Sequence, residues 1–228
     1  YYKAMMVTAI FSTLVAALSL SIALLFATQA DKNLKVAGGY KTLMIWPYAV
    51  APAVAGVLWF FMFQPSLGML SRPLRGLGID WNPLLNGNHA LLLVVMASVW
   101  KQISYNFLFF LAGLQAIPRS VIEASAIDGA RPMRRFWTIV FPLLSPTTFF
   151  LLVVNIVYAF FDTFAIVDAM TGGGPGNATT FLSIDLDKIA LGQFDLGPAG
   201  AMSIIYFLII LVLSWLFYTL MMRNEDKS

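Results

Sequence analysis

Cysteine is absent from this sequence, histidine occurs once, and only 11% of the residues carry a formal charge. The first absence excludes disulfides, thiolate-held metals and a cysteine nucleophile. The second leaves His89 at a loop boundary with no second imidazole, which argues against a metal centre and fits a solvated residue at a helix entrance. No helix carries paired His or carboxylate ligands, so an enzyme would lack a nucleophile, base or metal set. No glycine-rich phosphate loop is present, and no internal repeat marks the chain as a self-contained secondary transporter.

What is present is apolar: 60% of the residues are hydrophobic and the mean hydropathy is +0.81. That composition belongs to membrane proteins. Five stretches, at about 4–29, 42–63, 90–116, 143–169 and 199–222, are long enough to cross a hydrocarbon core of about 30 Å as helices. The third is interrupted by Lys101, Gln102, Ser104 and Asn106 yet stays apolar enough to span. No ten-residue alternation of a transmembrane barrel occurs. The expectation is an all-α polytopic membrane protein, one domain over residues 1–228.

Lys and Arg placement orients it. With 117–142 on the cytoplasmic side, Lys32, Lys35, Lys41, Arg119, Arg131, Arg134, Arg135, Arg223 and Lys227 lie inside, and Lys3, Arg72, Arg75 and Lys188 outside. Nine against four satisfies the positive-inside rule; the inverted arrangement violates it. The first helix then starts outside, on Tyr1-Tyr2-Lys3 with no initiator Met, so one further span is expected ahead of it, six in all.

Residues 119–135, RSVIEASAIDGARPMRR, form a polar island between apolar runs. Pro118 stops the preceding helix, and Ser120 with Glu123 has capping-box spacing, predicting a short helix from about 120. Asp128-Gly129 is a stop signal. Pro132 suits the first turn of a second short helix through about Ile139, ended by Pro142. Two turns of helix are marginal alone, so this element needs something to pack against. Its small residues, Ala124, Ser125, Ala126 and Ala130, permit close approach, with Arg119, Glu123, Arg134 and Arg135 as polar anchors. From the residues alone it reads equally as a helix lying on lipid headgroups.

Glu123, Ala124, Gly129, Ile139 and Pro142 resemble, in identity and register, the EAA loop of ABC importer permeases. Ser125 replaces the second Ala and Phe141 the usual Leu, both mild exchanges. The resemblance implies a type I ABC importer transmembrane domain whose loop 117–142 is a coupling helix seated in a cytoplasmic ATPase. It gives coupling roles to Glu123, Ala124, Ser125, Asp128, Gly129 and Arg134, with Gly129 permitting the bend.

Similarity to the carbohydrate group, relatives of the maltose permease subunits, extends over nearly the whole chain. Thr171-Gly172-Gly173-Gly174-Pro175 resembles that group's external Thr-x-Gly-Gly-Pro motif, which places Gly172, Gly173, Gly174 and Pro175 toward a binding protein; three glycines and a proline also make an ordinary tight turn. WPYAVAPAVAGVLWFF (46–61), VWKQISYNFLFF (99–110) and FFLLVVNIVYAFFDTF (149–164) are similar to A-type permeases of glycerol-3-phosphate importers, which also take up glycerophosphodiesters. A disaccharide, oligosaccharide or other polyol is the alternative solute.

Polar groups within spans face a bundle interior or a water-filled cavity. The candidates for a pathway are Lys101 and Asn106 on one helix, and Asn155, Tyr158 and Asp162, spaced three and four apart, on one face of the next. Lys101 would serve an anionic phosphate as a point charge; it could equally pair with Asp162 or snorkel. Pro47 and Pro52 can kink the second span. Arg72 and Arg75 in the 64–89 external segment read as solvated loop charges, or as residues that attract an anionic substrate or contact a binding protein.

The resemblance implies no cofactor in this chain, with ATP and Mg on the partner ATPase. It implies as partners a second homologous permease, a dimer of ATPases, an external binding protein and membrane lipid, in the bacterial inner membrane. Nucleic acid is not expected.

Overall fold

The computed structural model describes residues 2–32 and 37–225. Lys35 and Lys227 of the charge count lie outside the described residues.

The chain opens with α1 (Tyr2–Lys32), α2 (Ala37–Ala49) and α3 (Pro52–Phe63), followed by the short α4 (Ser71–Gly76) and the long α5 (Gly87–Ala116). Then come α6 (Arg119–Ile127), α7 (Pro132–Arg135), a π-helical turn (Phe136–Val140) and α8 (Phe141–Leu143). The chain continues as α9 (Ser145–Phe161), α10 (Phe164–Thr171), α11 (Leu182–Asp187), a second π-helical turn (Lys188–Gly192) and α12 (Leu196–Glu225). Among the described residues three helices, α1, α5 and α12, are long and apolar enough to cross a membrane, or five if each of two bent pairs is one span.

α5 is the centre of the bundle. Of its most apolar window 61% is buried, against 33% for α1 and 6% for α12, so α5 is enclosed by protein while α12 presents its surface outward. Asn86 starts α5 by accepting from the amides of Asn88 and His89. His89 is not a solvated residue: its ring stacks on Trp81 at 5.0 Å and its Nδ1 accepts from the Asn82 amide at 3.1 Å.

α1 packs chiefly along α5 and also against α9 and α11, and buries a stripe of mostly small side chains, Thr8, Ser12, Ser19, Ala23 and Ala27 among them. Small residues let helix backbones approach closely in lipid, where no hydrophobic force drives helices together. The opposite face shows Met6, Ile10, Leu14, Leu18 and Leu25 to the surroundings. Such an apolar exterior suits a hydrocarbon solvent or a protein partner.

Two expected spans and the island differ in detail. The one at 42–63 is broken: α2 and α3 meet at 101° across Val50-Ala51, where Pro52 opens a new helix. The one at 143–169 divides at Asp162-Thr163 into α9 and α10, and the bent pair long enough to span is instead 132–143 with 145–161, at 67°. The second island helix does not end at Pro142, because the π-helical turn realigns the chain and Pro142 sits in the first turn of α8, where its missing N–H is harmless. The first island helix starts at Arg119 with Pro118 as N-cap and no side-chain cap. Ser120 therefore lies inside the first turn, and no capping box with Glu123 forms.

α3 lies tightly on α10, since a Cβ at Gly56 would come within 2.7 Å of the Ile166 carbonyl oxygen. One polar network ties three helices together. The Asn155 amide nitrogen donates to Asn106 Oδ1 (2.8 Å) and to the Leu151 carbonyl (2.7 Å). Asn155 Oδ1 accepts from Ser19 Oγ (2.9 Å) and from Asn106 Nδ2 (3.2 Å), which also reaches Ser19 Oγ at 3.0 Å. All three residues are fully buried, so α1, α5 and α9 share a knot whose members satisfy one another.

Replacing one member strands the others, whereas replacing both amides removes the demand for partners. Asn155→Leu is expected to cost about 1–3 kcal/mol, and Asn106→Leu with Asn155→Leu together less than the sum of the singles. Thermal unfolding of the detergent-solubilised transporter checks this, and additive costs would contradict the shared network.

Candidate functional site

Breaking a helix inside a membrane leaves carbonyls without amide partners, and these must be met by other groups. At the α2–α3 break the partner is Lys101. Its Nζ donates to the carbonyls of Val50 (2.5 Å) and Tyr48 (3.2 Å) and lies 5.7 Å from the centre of the Tyr48 ring. Only 8% of Lys101 is exposed, so its ammonium caps the C-terminal end of α2 from a neighbouring helix. Asp162 contributes a Coulombic field there, but the hydrogen bonds of the ammonium go to backbone.

The other pathway candidates separate. Asn106 and Asn155 sit in the sealed knot with Ser19. Tyr158 is 7% exposed, and its hydroxyl faces that of Ser98. Asp162, where α9 ends, is the one of the five that is exposed. The 155–158–162 stripe thus runs from buried packing to an open end rather than along one open wall.

Around the coupling candidates the chain is thinly packed. α6 rests chiefly on α7, and Glu123, Ala124, Asp128 and Arg134 are exposed. Ser125 is buried and donates to the Ile122 carbonyl at 2.7 Å, so it shapes the helix rather than facing outward. Gly129 has φ of +78° with open space where a Cβ would stand, so the bend needs glycine for its backbone and not for room. The amides of Gly129 and Ala130 close α6 on the carbonyls of Ala126 and Ser125. This end joint sets the direction of α7.

At the opposite end of the bundle, Gly172 and Gly173 have φ of +54° and +87°. Threonines hold the turn: Thr179 Oγ1 donates to the Gly174 carbonyl (2.7 Å) and lies 2.7 Å from Thr171 Oγ1, while Thr180 Oγ1 donates to the Gly173 carbonyl (2.9 Å). Lys3 Nζ reaches the Gly176 carbonyl at 3.3 Å. Gly174 and Pro175 are half-buried, Gly173 is buried, and the turn is a preformed surface rather than a loose loop.

Sequence reasoning missed Ser19. Its signal was the recurrence of Thr8, Ser12 and Ser19 along one side of a long apolar helix, a polar trace that marks a buried interface in lipid. Thr8 follows the same logic, accepting from the Leu182 amide at 3.0 Å.

Known proteins share this architecture. The pattern of the family described as "Binding-protein-dependent transport system inner membrane component" matches residues 2–225. The sn-glycerol-3-phosphate transport system permease protein UgpA of Rhizobium meliloti (strain 1021) is 58% identical over 214 residues, 94% of this chain and 73% of that protein. The protein of the same name from Agrobacterium fabrum (strain C58 / ATCC 33970) is 60% identical over equal coverage, and that of Yersinia enterocolitica serotype O:8 / biotype 1B (strain NCTC 13174 / 8081) is 54% identical over 94% of this chain and 72% of that protein. A crystal structure of a bacterial ABC transporter that imports the acidic polysaccharide alginate matches with a TM-score of 0.86 at 19% identity, over 98% of this chain and 79% of that one. At that identity the likeness speaks for the fold. The chain belongs to the inner-membrane components of binding-protein-dependent transport systems, multi-pass permease subunits of ABC transporters that are not themselves enzymes and leave the nucleotide to an ATPase partner.

Proposed function

We propose that this permease serves an importer of sn-glycerol-3-phosphate, with glycerophosphodiesters as a second substrate class, and forms half of the translocation pathway. The supporting observation is the 58% identity over 214 residues to the Rhizobium meliloti glycerol-3-phosphate permease protein. A disaccharide, oligosaccharide or other polyol is the second reading. It is favoured by Lys101, the cation best placed for an anionic solute, whose ammonium is occupied by the α2 carbonyls.

In the proposed assembly the single domain over 1–228 pairs with a second homologous permease, two ATPases dock on the loops, and an external binding protein delivers solute. Loop 117–142 faces the cytoplasm. Exposed Glu123, Ala124 and Asp128 meet the ATPase, Arg134 adds a polar anchor, and Ser125 and Gly129 keep the element's shape. Closure of the ATPases moves two such loops as rigid bodies and switches the pathway between its two openings. The Gly172–Pro175 turn faces the binding protein. Exposed Asp162 borders the pathway, and Asn106 and Asn155 hold its wall together from behind.

Two outcomes test this. In the reconstituted complex with its binding protein, glycerol-3-phosphate or glycerophosphocholine is expected to stimulate ATP hydrolysis while maltose does not; stimulation by maltose alone selects the sugar reading. Glu123→Lys is expected to abolish uptake with the protein still inserted, and full uptake by that variant removes Glu123 from the coupling contact.

A further inference from the structure

Behind the coupling element lies a cavity of about 900 Å³, bounded by the last turns of α1 and α5 and by α6, α7 and the π-helical turn. Leu25, Leu114, Ile122, Trp137 and Val140 supply apolar wall, while Asp31, Arg119, Glu123 and Arg135 are the charged residues around it. None of these four charged side chains forms an ion pair or hydrogen bond among the described residues. Arg119, Ile122 and Glu123 stand three and four apart on α6, so they share the side of the helix that fronts the cavity.

Place and chemistry narrow the occupant. The cavity opens where α1 and α5 end, at Lys32 and Ala116, and where the sequence turns from apolar to arginine-rich. That is the level of the headgroups of one leaflet, and Trp137, 54% exposed, suits it. Two guanidiniums match a phosphodiester, which Arg engages through paired N–H donors. The Asp31 carboxylate matches an ammonium that can donate hydrogen bonds. The apolar wall matches acyl chains.

We propose that this cavity binds a membrane phospholipid whose headgroup joins a phosphate to a primary ammonium, the phosphatidylethanolamine class. The proposal rests on the reading that loop 117–142 lies at the membrane surface. A choline headgroup has no N–H to give Asp31. A glycerol headgroup offers hydroxyls but no cation, so the carboxylate charge stays uncompensated. Both therefore bind less well than ethanolamine, and a lipid seated there fills the space between the coupling helix and the spans that it moves.

The test uses the whole transporter, with partner permease and ATPases, in mild detergent. It is offered equimolar phosphatidylethanolamine, phosphatidylcholine and phosphatidylglycerol with identical chains, and retained lipid is read by native mass spectrometry. Ethanolamine lipid is expected to be retained preferentially, and Asp31→Asn and Arg135→Gln each to lower its retention roughly tenfold, the scale of one charge-assisted hydrogen bond. If either variant fails to assemble, Arg119→Gln takes its place.

Equal retention of the three lipids, or retention unaffected by the substitutions, overturns the proposal. So does full displacement by glycerophosphoethanolamine, which would make the ligand a soluble headgroup compound. Capture of the ATPase in place of lipid by a photocrosslinking residue at position 137 would likewise show a protein in the cavity. Transport does not enter the readout, so failure of the substrate assignment leaves this test intact.

Discussion

The fold depends on how polar groups inside an apolar solvent are satisfied. Hydrocarbon offers no hydrogen bonds, so amides, hydroxyls and ammonium groups within the helices are stabilised by partners in the protein. The Ser19, Asn106 and Asn155 knot meets that demand across three helices at once, and it does so with full burial. Because each member's partner lies on another helix, the relative positions of α1, α5 and α9 are fixed together. Neutral side chains suit this task, since they carry no ionic desolvation cost.

The same demand explains the broken second span. Pro52 prevents α2 from continuing into α3, and the orphaned carbonyls of Tyr48 and Val50 are met by a lysine from the central helix. Lys101 thereby ties the break to α5. From there α3 runs against α10, with Gly56 facing the Ile166 backbone. A frame so tied at its centre contrasts with α6, which rests mainly on α7 and exposes its polar residues. A stiff bundle carrying a thinly packed surface helix fits the proposed work of receiving a push and passing it inward as a rigid motion.

Much of this was legible beforehand for particular physical reasons. Long apolar runs are local features, so those at about 4–29, 90–116 and 199–222 coincide with the long helices α1, α5 and α12. Glycines that need positive φ, such as Gly129 and Gly172, were visible because stop and turn signals are local. Harder to read were features set by one residue of slippage or by distant partners. Ser120 and Glu123 have capping-box spacing, yet the helix starts at Arg119 and the box does not form. Asn106 and Asn155 read as a polar lining because sequence spacing gives the face of a helix but not what lies opposite it.

The sequence alone determined the class of the molecule, because hydropathy, charge placement and the 123–142 motif are properties of short segments. It also determined where the chain must turn, since Pro and Gly act through their own backbone geometry. Only the tertiary structure decided which polar residues pair, that Lys101 caps α2 rather than standing free, and that Asp162 is exposed while Asn155 is sealed. The reason is that a side chain's role in a bundle is set by the neighbouring helix, and three-dimensional packing brings together residues separated by 136 positions, as with Ser19 and Asn155.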